Sequence, residues 1–184
     1  MSEYKPTDTK GEMVRNEYAT LVATIQRNLD PNSNHVLIVD DERGIRMKVA
    51  RDVRGVAQNV VVHEASNGKE ALEKLEFIRK THRKDPLFIV LDLQMPIMDG
   101  WETISRLKEE YEEAGKAAGV PIIVLSSTSG EKSFALIMKK SVHQGKTGYT
   151  PLVSIAKENC VDDSRYDASG EAGLMGWLEY FLNK

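Results

Sequence analysis

Apolar residues recur along this chain in two rhythms, and the alternation between them predicts the fold. Residues 1–12 are polar and are expected to be disordered. From Met13 onward Val14, Tyr18, Leu21, Val22, Ile25 and Leu29 repeat at helical spacing, which predicts an amphipathic helix over 13–29. Asp30-Pro31-Asn32-Ser33-Asn34 ends it. Beyond this linker, short aliphatic runs predict strands at 35–39, 59–63, 87–91, 121–125 and 152–156. Between them, amphipathic stretches predict helices at 42–54, from 68, from 100 and at 133–142, with a last helix after Ser169-Gly170.

Continuous aliphatic strands separated by helices indicate a parallel sheet buried on both faces. The predicted class is α/β, a doubly wound five-stranded sheet whose ligands bind at the carboxyl ends of the strands. The leading helix stands outside this repeat, so residues 1–34 are expected to form an extension and 35–184 the domain. Its apolar stripe has two possible uses: packing on its own domain, or pairing with a second copy in a homodimer.

Composition narrows the function classes. With 41 % hydrophobic and 29 % charged residues, the 184-residue chain is too apolar for a disordered protein. A net charge of −3 gives no basic field for nucleic acid or an anionic membrane surface. The aliphatic runs are far shorter than the roughly 20 residues of a membrane span, and the polar N-terminus lacks the apolar core of a secretory signal. One cysteine, Cys160, forms no intrachain disulfide. A cytoplasmic location is expected.

The chemistry lies at the strand ends. Asp40 and Asp41 follow the first strand, Asp92 the third, Ser126-Ser127-Thr128 the fourth, and Lys157 the fifth. Three carboxylates gathered by parallel strands repel unless a cation joins them, and oxygen-only ligands suit Mg²⁺. A hydroxyl and a lysine beside that ion can hold phosphoryl oxygens. One carboxylate is then the nucleophile that forms an acyl phosphate. Asp92 stands alone on a central strand and is the choice. The bland alternative for Asp40 and Asp41 is an N-cap pair opening the next helix.

HVLIVDDERGIRMKVARDV, EASNGKEALEKL, IVLDLQMPIMDGWE and PIIVLSS, in this order and on strand ends, resemble the successive landmarks of a bacterial response-regulator receiver domain. The resemblance extends over roughly 35–184 and is dense from 35 to 127. It implies a flavodoxin-like (βα)5 fold with strand order 2-1-3-4-5. It further implies Asp92 as phosphoacceptor, with Mg²⁺ bound by Asp41, Asp92 and the backbone carbonyl of Gln94, and by Asp40 through water. Ser126, Ser127 and Lys157 would bind the phosphoryl group, and Ser126 would move toward it. The implied phosphodonor is a sensor histidine kinase or a phosphotransfer protein. Because no output domain is recognisable after the last helix, a stand-alone receiver is expected. It would signal to a downstream protein through the face built from the 133–142 helix, the fifth strand and the last helix.

The sequence also departs from the family pattern. The usual Lys-Pro after the fifth strand is missing. Anchoring on Gly148-Tyr149 puts Leu152 at the lysine position, whereas taking 152–156 as the strand places Lys157 at its end. The second alignment is preferred, and it puts Ser154 where the family carries an aromatic switch residue; Tyr149 is a conceivable substitute. Residues 143–170 are longer than the family needs. Gly145-Lys146-Thr147 lacks the first glycine and the preceding strand of a phosphate loop. Asp162, Asp163 and Asp167 lack hand-type calcium spacing. His35, His63, His82 and His143 are expected in different elements with no common face. Two rivals to the receiver reading follow: an unphosphorylated binding module of the same fold, and an aspartyl-nucleophile phosphatase. The latter is disfavoured because Gln94 stands where its second acid belongs.

Overall fold

A computed structural model of the chain describes residues 9–57, 59–126 and 149–156, together with Leu178, Glu179 and Leu182. Its elements are α1 (Thr9–Asn28), β1 (Asn34–Val39), α2 (Arg43–Val56), β2 (Val60–Ala65), α3 (Gly68–His82), β3 (Phe88–Asp92), α4 (Gly100–Glu113), β4 (Ile122–Ser126) and β5 (Leu152–Ala156). The five strands form one parallel sheet in the order β2-β1-β3-β4-β5, the doubly wound arrangement expected from the aliphatic runs.

Strand position in the sheet follows from side-chain chemistry. Every residue of β1 (NHVLIV) and β3 (FIVLD) is buried, because helices cover both faces of the central strands. β2 lies at an edge and can leave Val61 and Glu64 exposed. Alternate residues feed two cores. Val36 and Ile38 point to one that includes Val49 and Val53 of α2 and Phe88, Val90, Ile123 and Val153. Leu37 and Val39 point to the other, built with Leu75 and Ile78 of α3 and Ile104 and Leu107 of α4.

The leading helix uses its stripe within the chain. Leu21 and Ile25 are fully buried, and with Val22 they join the first core beside Val153, Ile155 and Leu178. The helix that lies outside the βα repeat therefore shares a core with the sheet. Burial of this stretch takes the intrachain alternative for those side chains.

Several boundaries depart from the sequence expectation. α1 begins at Thr9 rather than Met13, so residues 9–12 are helical rather than disordered; a polar turn extends a helix without needing burial. The second strand runs Val60–Ala65 instead of 59–63. Asn59 takes a left-handed φ of 59° and offers its carbonyl to the Asn34 N–H at 2.8 Å, which makes it a turn residue. The third and fourth strands each start and end one residue later than predicted. The helix expected at 133–142, most of the 143–170 stretch, the Gly145-Lys146-Thr147 and Asp162–Asp167 motifs, Cys160 and His143 lie outside the described residues.

Candidate functional site

The carboxyl ends of β1 and β3 bring the three aspartates together. Asp40 follows β1 and donates its N–H to the Ala65 carbonyl at 3.1 Å, so the end of β2 fixes its backbone. Arg46 Nη1 holds the Asp40 carbonyl at 2.7 Å. Asp92 is the last residue of β3. Asp40 and Asp92 are 1 % and 3 % exposed, whereas Asp41 is open to solvent. One carboxylate oxygen from each of the three lies within 4.8 Å of the others.

At such separations each pair of charges repels by on the order of 3 kcal/mol at an effective dielectric of about 20. A divalent cation among them converts that repulsion into attraction. An oxygen-only donor set with two buried members and one exposed matches the needs of a hard, partly hydrated ion such as Mg²⁺.

The N-cap alternative for the doublet is not what forms. Glu42 occupies the N-cap of α2 and makes no side-chain cap bond. Asp40 Oδ1 instead accepts the Glu42 N–H at 2.8 Å, which tightens the turn and orients that carboxylate.

Residues 93–99 form a wall held by backbone bonds. Gly100 N–H donates to the Leu93 carbonyl at 3.0 Å, Met98 N–H to Pro96 at 2.8 Å, and Gly68 N–H to Met98 at 2.9 Å. The Gln94 N–H faces Asp92 Oδ1 at 3.4 Å. Asp99 caps α4 by accepting the Glu102 N–H at 2.8 Å, and Asn67 caps α3 by accepting the Glu70 N–H at 3.0 Å. Glu70 in turn accepts from the Ser66 N–H and hydroxyl, bonds that hold its carboxyl below the usual range. An open cleft of about 510 Å³ lies beside Asp41, lined by Gln94, Met95, Pro96, Asp99 and Trp101 among others. Trp101 also packs on the second core.

β4 delivers the backbone of Ser126 to the same edge: Leu125 pairs with Asp92, and Ser126 pairs with Ala156 of β5. The strand at Leu152–Ala156 is the one the preferred alignment requires, so position 157 follows it directly. Ser127 and Lys157 themselves lie outside the described residues.

Tyr149 is not a substitute switch. It precedes β5, at the opposite end of the sheet from Asp92. There its hydroxyl donates to the Val120 carbonyl at 2.6 Å, its ring meets Tyr111 edge-on, and burial pushes its pKa up. Three of the histidines lie in different elements, as expected, but the expectation that they share no face is overturned. His35, His63 and His82 converge at that opposite end of the sheet, with ligand nitrogens within 4.8 Å of one another. Parallel register pairs Leu37 with His63, which puts His35 and His63 on one face of the sheet, and α3 ends at His82 beside them. No local sequence signal marks this cluster.

Comparison with known proteins settles the family. The family model described as "Response regulator receiver domain" matches residues 36–144, more than half of the chain. The chain belongs to the response regulator receiver domain family. It is 31 % identical over 139 residues to the nitrate/nitrite response regulator protein NarL of Escherichia coli K12, spanning 76 % of this chain and 56 % of that protein. It is also 31 % identical over 116 residues to a protein-glutamate methylesterase/protein-glutamine glutaminase of Carboxydothermus hydrogenoformans, spanning 63 % of this chain and 30 % of that one. The chain thus spans less than two thirds of the length of these relatives. A crystal structure of a two-component response regulator from Cytophaga hutchinsonii matches the fold with TM-score 0.53 at 19 % identity, over 83 % of this chain and 99 % of that one. Among the described residues no helix is long and apolar enough to cross a membrane.

Proposed function

We propose that this receiver accepts a phosphoryl group on Asp92 in a Mg²⁺-dependent reaction. The observation that carries the reading is the convergence of the Asp40, Asp41 and Asp92 carboxylates at the carboxyl edge of a receiver-family sheet. An Asp92 carboxylate oxygen attacks the phosphorus of a phosphohistidine. The P–N bond breaks, an aspartyl phosphate forms, and the leaving imidazole takes up a proton. Asp41, Asp92 and the Gln94 backbone carbonyl would hold the ion, and Asp40 would support it through water. When bound, Mg²⁺ neutralises charge on the phosphoryl oxygens. Ser126, Ser127 and Lys157 gather the remaining oxygens of the group.

The donor is a sensor histidine kinase or a phosphotransfer protein. The new charge at Asp92 draws Ser126 and Lys157 inward and biases a two-state surface formed by residues 133–142, β5 and the last helix, to which a downstream protein binds. With Ser154 rather than an aromatic in β5, that coupling runs without the usual aromatic rotation.

Incubation with Mg²⁺ and acetyl phosphate tests the proposal by intact mass. A gain of one phosphoryl group, lost in Asp92→Asn and lost on chelation of Mg²⁺, is expected. No gain in the wild type overturns the reading and leaves a same-fold binding module.

A further inference from the structure

The three imidazoles at the amino end of the sheet have no part in the chemistry above. They come from three separate elements: His35 from the start of β1, His63 from β2 and His82 from the last turn of α3. His35 Nδ1 and His63 Nε2 are 2.9 Å apart, the His35 and His82 ring centroids are 4.0 Å apart, and one nitrogen of each ring lies within 4.8 Å of the other two. We propose that His35, His63 and His82 form a binding site for a divalent transition metal of the zinc class, with a fourth coordination position open to solvent.

Geometry and donor chemistry both support this site. Tetrahedral zinc with Zn–N bonds of about 2.0–2.1 Å places its nitrogens about 3.3 Å apart. The His35–His63 separation of 2.9 Å is slightly shorter than that value and all three ligand nitrogens lie within 4.8 Å of one another, so small ring movements bring them to the ion. Three nitrogen donors without a carboxylate select Zn²⁺, Co²⁺, Ni²⁺ or Cu²⁺ over Mg²⁺ and Ca²⁺. The metal is therefore distinct in kind from the one proposed at Asp92.

The surroundings supply orientation and access. With Nδ1 of His35 turned toward His63, its Nε2 faces the Ser33 hydroxyl at 3.4 Å, the kind of outer contact that fixes a ligating ring. His35 is 2 % exposed, while Phe77 and Val61 beside the cluster are 52 % and 45 % exposed, which leaves an entrance on the β2 side. Two ammonium groups face the cluster. Lys84 is paired with Asp30 Oδ2 at 3.0 Å and with the Ser33 carbonyl, and Lys74 lies over the Phe77 ring. Burial keeps His35 and His63 neutral near pH 7, the form that ligates a metal. In the metal-free chain the His35–His63 hydrogen bond occupies these nitrogens, and coordination exchanges that bond for two to the ion.

Bound metal would join β1, β2 and the end of α3 at the edge remote from Asp92. About five residues of strand, on the order of 16 Å, separate His35 from the aspartates. The site would stabilise the fold by mass action without entering phosphoryl chemistry.

Calorimetric titration of the chelator-stripped full chain with Zn²⁺, in millimolar Mg²⁺, tests the proposal. The expected result is one Zn²⁺ per chain and a raised Tm, with affinity reduced about tenfold or more in both His82→Gln and His63→Gln and unchanged in Asp41→Asn. Co²⁺ at the same site should give the visible absorption of a four-coordinate ion, lost in His82→Gln. Absence of binding overturns the proposal. So does binding that survives both histidine substitutions in folded variants, or binding abolished by Asp41→Asn alone.

Discussion

Gly100 lies directly beneath Asp92: a Cβ at position 100 would overlap the Asp92 carbonyl oxygen and crowd Leu93 Cα at 2.8 Å. The first turn of α4 is therefore seated on the backbone that carries the candidate phosphoacceptor, with the Gly100 N–H bound to the Leu93 carbonyl at 3.0 Å. The obstacle is backbone rather than a yielding side chain, so relief requires moving β3 or α4.

Gly100→Ala should cost about 2 kcal/mol or more in stability and should slow phosphorylation of Asp92. Urea unfolding and the rate of mass gain with acetyl phosphate measure the two effects. A variant with wild-type stability would show that α4 can shift freely.

The opposite change is expected three residues earlier. Ile97 adopts a φ of 69° and is 79 % exposed, a left-handed conformation that a β-branched residue disfavours. Ile97→Asn should therefore stabilise the chain by about 0.5–1 kcal/mol, because Asn tolerates this region and little packing is lost. A fall in Tm would mean that the exposed isoleucine makes a stabilising contact.

Leu21 and Ile25 tie the leading helix to β5. Substituting either by Ala should cost about 2–5 kcal/mol, and removing residues 1–32 should abolish cooperative thermal unfolding by exposing Val153 and Ile155. A truncated chain that stays folded at half the solution mass would instead assign the helix to pairing of two copies.

The histidine cluster makes stability depend on pH in the metal-free chain. Burial first, then the charges of His82, His63 and Lys84, pushes the His35 pKa down from 6.5 to about 4. The unfolded chain therefore takes up this proton first. The stabilisation is complete above pH 6.5 and is lost as pH falls toward 4, by no more than about 3 kcal/mol. In chelator, wild type should lose more stability between pH 7 and 5 than His35→Leu does. Equal losses would show that His35 is not buried neutral.

What could be read from the sequence tracks how local each signal is. The three central strands are aliphatic runs buried on both faces, so β1, β3 and β4 lie within a residue of those runs. The meeting of the three aspartates is legible because strand-end residues of a parallel sheet gather at one edge. β2 slipped because an edge strand tolerates Glu64, which faces solvent near Arg46. The histidines escaped because their meeting depends on the pairing of Leu37 with His63 and on where α3 stops. The same applies to the seat of Gly100 under Asp92, which the Asp99-Gly100 pair alone does not reveal.

The central claim is that Asp92 carries the phosphoryl group. Borohydride reduction of the chain after reaction with acetyl phosphate and Mg²⁺, followed by peptide mass mapping, reads this directly. An aspartyl phosphate is reduced to homoserine, so the account predicts homoserine at position 92 alone, and none when Mg²⁺ is withheld. Homoserine at position 40 or 41, or its absence from all three positions, would contradict it.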